Sequence, residues 1–205
     1  MTGKRRVAVL ISGRGSNMTA LIAAARRADY PAEIVLVLSD KPDAPGLALA
    51  QAEGVRALAV PAKAYRDREA HERALDAALR EAGPEVLALA GYMRLLTPWF
   101  IDAWQGRTIN IHPSLLPAYP GLHTHARALA AGDAEAGCTV HLVTQDMDAG
   151  PILAQARVPI LPGDDEASLA ARVLEAEHRL YPQALADFCR TTPDAAISAS
   201  RRPGP

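Results

Sequence analysis

Two cysteines, Cys138 and Cys189, are all that 205 residues contain. That excludes a disulfide framework and a cysteine-built metal set, and it suits a reducing compartment; a cytoplasmic location is expected. Net charge is nearly absent too, at −1. The overall balance therefore gives no electrostatic case for nucleic acid or an anionic membrane as partner. Long apolar runs are missing. The run at 7–11, behind a basic start, is too short for the hydrophobic region of a signal peptide, and no stretch approaches the roughly 20 apolar residues of a membrane span. Internal repeats, coiled-coil heptads and low-complexity blocks are also lacking.

What remains is an ordinary globular composition, 49% hydrophobic and 22% charged, long enough for one sizeable core without a second domain. One domain over 1–190 is expected, with the polar, proline-containing 191–205 as a loose tail. Short apolar runs at 7–11, 34–38, 56–60 and 86–90 read as buried parallel strands. Between them, 16–28, 44–53 and 65–82 read as helices, the last two stopped by Gly54 and Gly83-Pro84. This alternation predicts an α/β fold: a Rossmann-like, mostly parallel sheet with helices on both faces. The second half is less regular. Thr97-Pro98 reads as an N-cap with proline at the first helical position. Residues 107–111 read as a strand, 125–131 as a short helix, and 139–143 and 152–160 as an antiparallel pair. Asp164-Asp165-Glu166 opens a long helix, which Pro182 is expected to kink or break.

Ser12-Gly13-Arg14-Gly15-Ser16-Asn17 follows the first strand and opens the first helix. Glycines let backbone amides approach an anion, and a helix N-terminus supplies unpaired N–H groups and partial positive charge. Phosphate binding is expected; the plainer alternative is a tight turn with Ser16 as N-cap. A dinucleotide fingerprint fits poorly. Met18 stands where its third glycine belongs, although Asp40 lies near where a ribose-binding acid would be. A Walker loop is excluded, because no Gly-Lys-Ser/Thr follows.

The stretch Asn110-Ile111-His112-Pro113-Ser114-Leu115-Leu116-Pro117 carries the chemistry. Asn110 and His112 are two apart on an extended segment and share one side of it. Asp148 lies in a second loop, Met147-Asp148-Ala149-Gly150-Pro151. An amide to bind an oxyanion, an imidazole to move a proton and a carboxylate to tune it make an acyl-transfer site. No serine or cysteine has an obvious base partner, so direct transfer to a substrate nucleophile is favoured over a covalent enzyme intermediate. Asn110, His112 and Asp148 each also have a structural alternative, as a loop hydrogen bonder, a core histidine and a turn residue. His123 and His125 are read as ordering the site loop rather than holding metal, His141 as a satisfied sheet residue, and His71 as lying on a solvated helix face.

These segments, with Leu89-Ala90-Gly91-Tyr92-Met93-Arg94 and Tyr119-Pro120-Gly121-Leu122-His123-Thr124-His125, resemble the folate-dependent formyltransferase family on its glycinamide ribonucleotide branch, from about residue 7 to about 188. The resemblance implies a formyltransferase fold with 10-formyltetrahydrofolate as co-substrate, 5′-phosphoribosylglycinamide as acceptor, no metal and a role in purine biosynthesis. A homodimer is compatible with it. It implies catalysis by Asn110, His112 and Asp148, and phosphate binding by Gly15, Ser16 and Asn17. It implies a ribose contact at Glu177, and folate contacts at Arg68, Met93, Arg94, Leu95, Leu96, Thr144, Gln145, Asp146 and Met147. Arg14 varies in the family and would add positive charge near the phosphate. Ala149 departs from it, standing where a second glycine is common; a positive φ there would strain the loop. Formyl hydrolysis, and a nucleotide-binding module without catalysis, are the alternatives.

Overall fold

The computed structural model describes residues 3–191. Seven strands form one sheet: β1 (Arg5–Ile11), β2 (Ala32–Ser39), β3 (Ala57–Ala59), β4 (Val86–Leu89), β5 (Thr108–His112), β6 (Glu135–Leu142) and β7 (Ile152–Pro159). Their order is β3-β2-β1-β4-β5-β6-β7. The first five are mutually parallel, and β6 and β7 run antiparallel to their neighbours. The expected Rossmann-like sheet with an antiparallel C-terminal part is therefore observed. Around it lie α1 (Ser16–Ala25), α2 (Pro45–Ala52), α3 (Arg68–Ala82), α4 (Pro98–Ala103), α5 (Thr124–Ala131) and α6 (Glu166–Thr191).

Side-chain alternation divides the core into two layers. Val7, Val9 and Ile11 of β1 join α1, α2 and α6 on one face. Ala8 and Leu10 join α3 and α4 on the other. β4 divides the same way, Val86 and Ala88 to the first face and Leu87 and Leu89 to the second. Period-two alternation with both sets apolar is what a strand covered on both sides requires. Strand order reverses between β1 and β4, and the carboxyl ends of strands at such a switch point form a crevice. The turn after β1, the loop after β4 and His112 at the end of β5 all open there.

Some elements depart from the sequence expectation. β6 begins at Glu135 rather than 139. Its Glu-Ala-Gly start has weak strand propensity, but pairing with β7 carries it, and Gly137 is needed because a Cβ there would lie 2.0 Å from Ala156 O. α3 begins at Arg68, where the Asp67 side chain accepts from Ala70 N, after a short 3-10 turn at Ala62–Ala64. α6 is not broken: it continues through Pro182, whose carbonyl accepts from Tyr30 Oη at 2.7 Å. Tyr181, fully buried one residue earlier, donates to Leu89 O and Ile109 O and so pins the helix across β4 and β5. His71 is fully buried, not solvated, with Nε2 2.8 Å from Val60 O. The tail expected over 191–205 lies outside the described residues, apart from Thr191, which closes α6. No helix among the described residues is long and apolar enough to cross a membrane.

Candidate active site

The turn after β1 is built for close approach. Gly15 sits at φ 73° and caps α1 with no side-chain hydrogen bond, so Ser16 is the first helical residue and not the cap. The opening N–H groups of the helix therefore have no intrahelical acceptor, and the turn presents them at the crevice with the positive end of the helix dipole. Two neighbours brace it. Gly46 N donates to Gly13 O at 3.1 Å, and a Cβ on Gly46 would lie 2.5 Å from Ile11 Cδ1. Met93 N donates to Ser12 Oγ at 2.8 Å, tying the turn to the loop after β4.

Glu177 reaches the same place from α6. Asn17 Nδ2 donates to its Oε2 at 2.6 Å, and both residues are buried. Burial pushes the Glu177 carboxyl above its usual range, with the Asn17 bond opposing. Of the expected phosphate residues, Asn17 is thus in contact with the expected ribose residue. Glu177 also interrupts the apolar stripe Leu169, Val173, Ala176, Tyr181 and Ala184 of α6, a pattern signal readable from helical periodicity.

Asn110 and His112 are brought together with Asp148. On β5 the first two project from one side, and Asp148 arrives from the loop between β6 and β7. Its Oδ2 lies 3.4 Å from His112 Nδ1 and accepts from Gly121 N at 2.8 Å. Burial favours the neutral acid, but the His141 ring, the Gly121 N–H and the His112 charge together outweigh it, so the Asp148 carboxyl sits below its usual range. His112 Nε2 meets Tyr119 O at 3.0 Å. Both ring nitrogens thus face oxygen acceptors, and only an imidazolium can donate to both at once.

His141 is the residue that sequence reasoning missed. It stands directly across from Asn110 in the β5–β6 ladder. Its Nδ1 meets Leu142 O at 2.9 Å. Nε2 lies 3.2 Å from Asn110 Nδ2 and 3.6 Å from Asp148 Oδ1; it accepts from Asn110 when the ring proton is on Nδ1 and donates to Asp148 when Nε2 carries one. In the first case one amide proton of Asn110 is held, leaving the other for a ligand. Alternation with Val140 and Leu142 marked His141 only as a strand residue, and its partner depended on register.

Backbone torsion concentrates at this mouth. Tyr119, His123 and Asp148 are the described non-glycine residues with positive φ, at 55°, 58° and 53°. Ala149 is not among them, so the strain expected at that position falls on Asp148 instead. Gly150 is indispensable: a Cβ there would lie 1.8 Å from Leu142 O.

The remaining expected contacts divide. Met93, Leu95 and Met147 are exposed by 70%, 58% and 55%. Met147 and Gly121 approach each other across the mouth. Leu96 is half-buried against the second core layer. Thr144 and Gln145 are occupied within the protein, by Asp146 O and Asp102 Oδ1, and Asp146 is exposed. Arg94 is half-buried, its Nε lacking a partner. Arg68 lines a separate cavity of about 400 Å³ with Arg66 and Arg73; no catalytic candidate lines it. Arg14 is exposed on the turn.

A formyl transferase family model matches residues 5–185. Phosphoribosylglycinamide formyltransferase of Escherichia coli is 45% identical over 182 residues, covering 89% of this chain and 86% of that protein. The trifunctional purine biosynthetic protein adenosine-3 of Drosophila melanogaster is 49% identical over 185 residues, again 89% of this chain. The chain spans only 14% of the length of that trifunctional relative. The crystal structure of phosphoribosylglycinamide formyltransferase from Brucella melitensis superposes with a TM-score of 0.88 at 57% identity, covering 93% of this chain and 98% of that one. The matched span takes in the whole sheet, the glycine turn and both loops that meet at His112, and on that ground the chain belongs to the formyl transferase family.

Proposed function

We propose that the chain transfers the formyl group of 10-formyltetrahydrofolate to the glycyl amine of 5′-phosphoribosylglycinamide, a step of purine biosynthesis. The observation that carries this reading is the convergence of Asn110, His112 and Asp148 on the same carboxyl edge of the sheet as a glycine-capped helix N-terminus. That pairing suits a phosphorylated acceptor whose amine must meet a carbonyl carbon. Gly15, Ser16 and Asn17 take the phosphate, and Glu177 takes ribose hydroxyls. The apolar rim of Met93, Leu95 and Met147 suits the flat ring system of a folate, whose remaining contacts fall to Arg94, Leu96 and residues 144–146. Arg68 is assigned to its charged end.

The glycyl amine attacks the formyl carbon. A carbon–nitrogen bond forms, and the carbonyl electron pair moves to oxygen. The free amide proton of Asn110 donates to that oxygen, as does the His112 Nε2–H, shared with Tyr119 O; a preplaced donor of this kind contributes about 3–4 kcal/mol in acyl transfer. The His112 imidazolium gives its Nε2 proton to N10 of the folate as that bond breaks, and the proton lost by the amine then restores the ring. Asp148 favours the imidazolium through which the proton passes. The products are formylglycinamide ribonucleotide and tetrahydrofolate.

A spectroscopic assay of folate deformylation with and without the ribonucleotide tests the reading. Turnover that depends on the amine is expected. Turnover with water alone would make the protein a hydrolase, and none under either condition would leave a binding module.

A further inference from the structure

We propose that Gln155, on the edge strand β7, is a positioning residue that holds His112 in its working orientation through the loop that follows it. The inference rests on the role assigned to His112 above.

Three strands line up the parts. His112 on β5 stands across from Thr139 on β6, and Thr139 stands across from Gln155 on β7. Cross-strand partners share a face of the sheet, so the three side chains form one row from the site to the sheet edge. Thr139, fully buried, uses its whole hydrogen-bonding capacity. Its Oγ1 donates to Ser114 O at 2.7 Å and accepts from Leu116 N at 3.1 Å and Gln155 Nε2 at 2.9 Å. The second N–H of Gln155 donates to Leu116 O at 2.8 Å. A hydroxyl has one proton and two lone pairs, so Gln155 completes this set.

The loop so held is braced across itself by hydrogen bonds. Ser114 Oγ donates to Ala118 O, Ala118 N to Leu115 O, and Ser114 N to His112 O. The next carbonyl is Tyr119 O, the one against His112 Nε2. Fixing Leu116 from the sheet edge therefore fixes the acceptor that orients the imidazole. Behind the loop lies a cavity of about 320 Å³ lined by Leu116, Pro117, Ala118 and Gln155. Leu116 has room to shift there once its carbonyl is released.

The test compares Gln155→Glu, which keeps the shape and removes both donors, with the wild-type protein. Expected is a fall in kcat of roughly 10- to 100-fold, as for a misplaced catalytic group, with the KM of each substrate within about threefold. Thr139→Val should behave alike and Thr139→Ser should restore activity. If Gln155→Glu does not fold, Gln155→Met takes its place. Two-dimensional spectra of ¹⁵N-histidine-labelled protein supply a readout that does not depend on turnover. The His112 Nε2 resonance should move toward that of an unrestrained imidazole in Gln155→Glu and Thr139→Val, and stay in Thr139→Ser. An unmoved resonance, or a kcat within twofold of wild type, overturns the proposal. A lowered melting temperature with kcat intact overturns it as well, by making the tie merely structural. Should the wild-type protein prove not to transfer formyl groups, the spectra still decide the positioning claim.

Discussion

Asn17 and Glu177 are 160 positions apart in sequence and share a buried hydrogen bond of 2.6 Å. The amide at the start of α1 is held by a carboxyl from the last helix, so α1 and α6 meet beside the glycine turn. The carboxyl is held there against its desolvation, and this has a measurable consequence.

Glu177→Gln should weaken ribonucleotide binding, raising its KM roughly tenfold with the folate KM unchanged, and should stabilise the fold near neutral pH. Its folded-state pKa is raised, so the ionised group costs stability above the ordinary carboxylate range and costs none when both states are protonated. Melting curves should show the variant ahead at pH 7 and level with wild type in acid. A variant that melts no higher at pH 7 would refute this account of the buried carboxyl.

His112→Ala should lower kcat/KM by about 10³-fold, within the span of general acid–base catalysis, while phosphate affinity measured calorimetrically stays within a factor of two. Asp148→Asn should cost less, about 10²-fold, because the amide keeps the loop and loses the charge. Single-turnover kinetics separate these effects from binding, and near-normal turnover in His112→Ala would remove the imidazole from the mechanism.

Gly150→Ala places a methyl group where Leu142 O already lies, 1.8 Å from the new atom. The loop must shift, and Asp148 two residues before it must shift too. A fall in kcat of about tenfold is expected, with a lower melting temperature. Full activity would mean that the loop absorbs the methyl without disturbing the carboxylate.

Asp164 accepts from Arg172 at 2.6 and 2.9 Å, from Leu161 N at 2.7 Å and from Ser168 Oγ at 2.9 Å. Arg172 foremost, then the Leu161 N–H, hold its carboxyl well below the usual range. A depressed pKa contributes stability that is complete above the unfolded value and lost as pH falls through the folded one. Asp164→Asn should therefore melt a few degrees lower at pH 7 and converge with wild type only in strong acid. Parallel curves at all pH values would mean that the charge is not the source.

The sheet was legible in sequence wherever strands were apolar and bounded by glycine or proline, as at 7–11 and 86–90. It was illegible at Glu135–Gly137, where pairing and not propensity makes the strand. Asn110 and His112 could be read together because their spacing puts them on one side of β5. Asp148 could be proposed but not placed, since its distance to His112 depends on the β6–β7 connection. His141 and Gln155 could not be read at all: each owes its part to register, and a slip of one residue would turn either to the opposite face. His71 misled for a related reason, because a polar ring on a charged helix gives no sign of the Val60 carbonyl awaiting it.

Asp148 meets two demands at once. Its left-handed backbone is a torsion that few side-chained residues accept, aspartate and asparagine chief among them. The short list of residues that could stand there without bending the chain already contains the one that ionises. Selection for shape and selection for acidity thus converge on a single letter of the sequence, and conformational tolerance alone would already favour the acid and its amide over most side-chained residues.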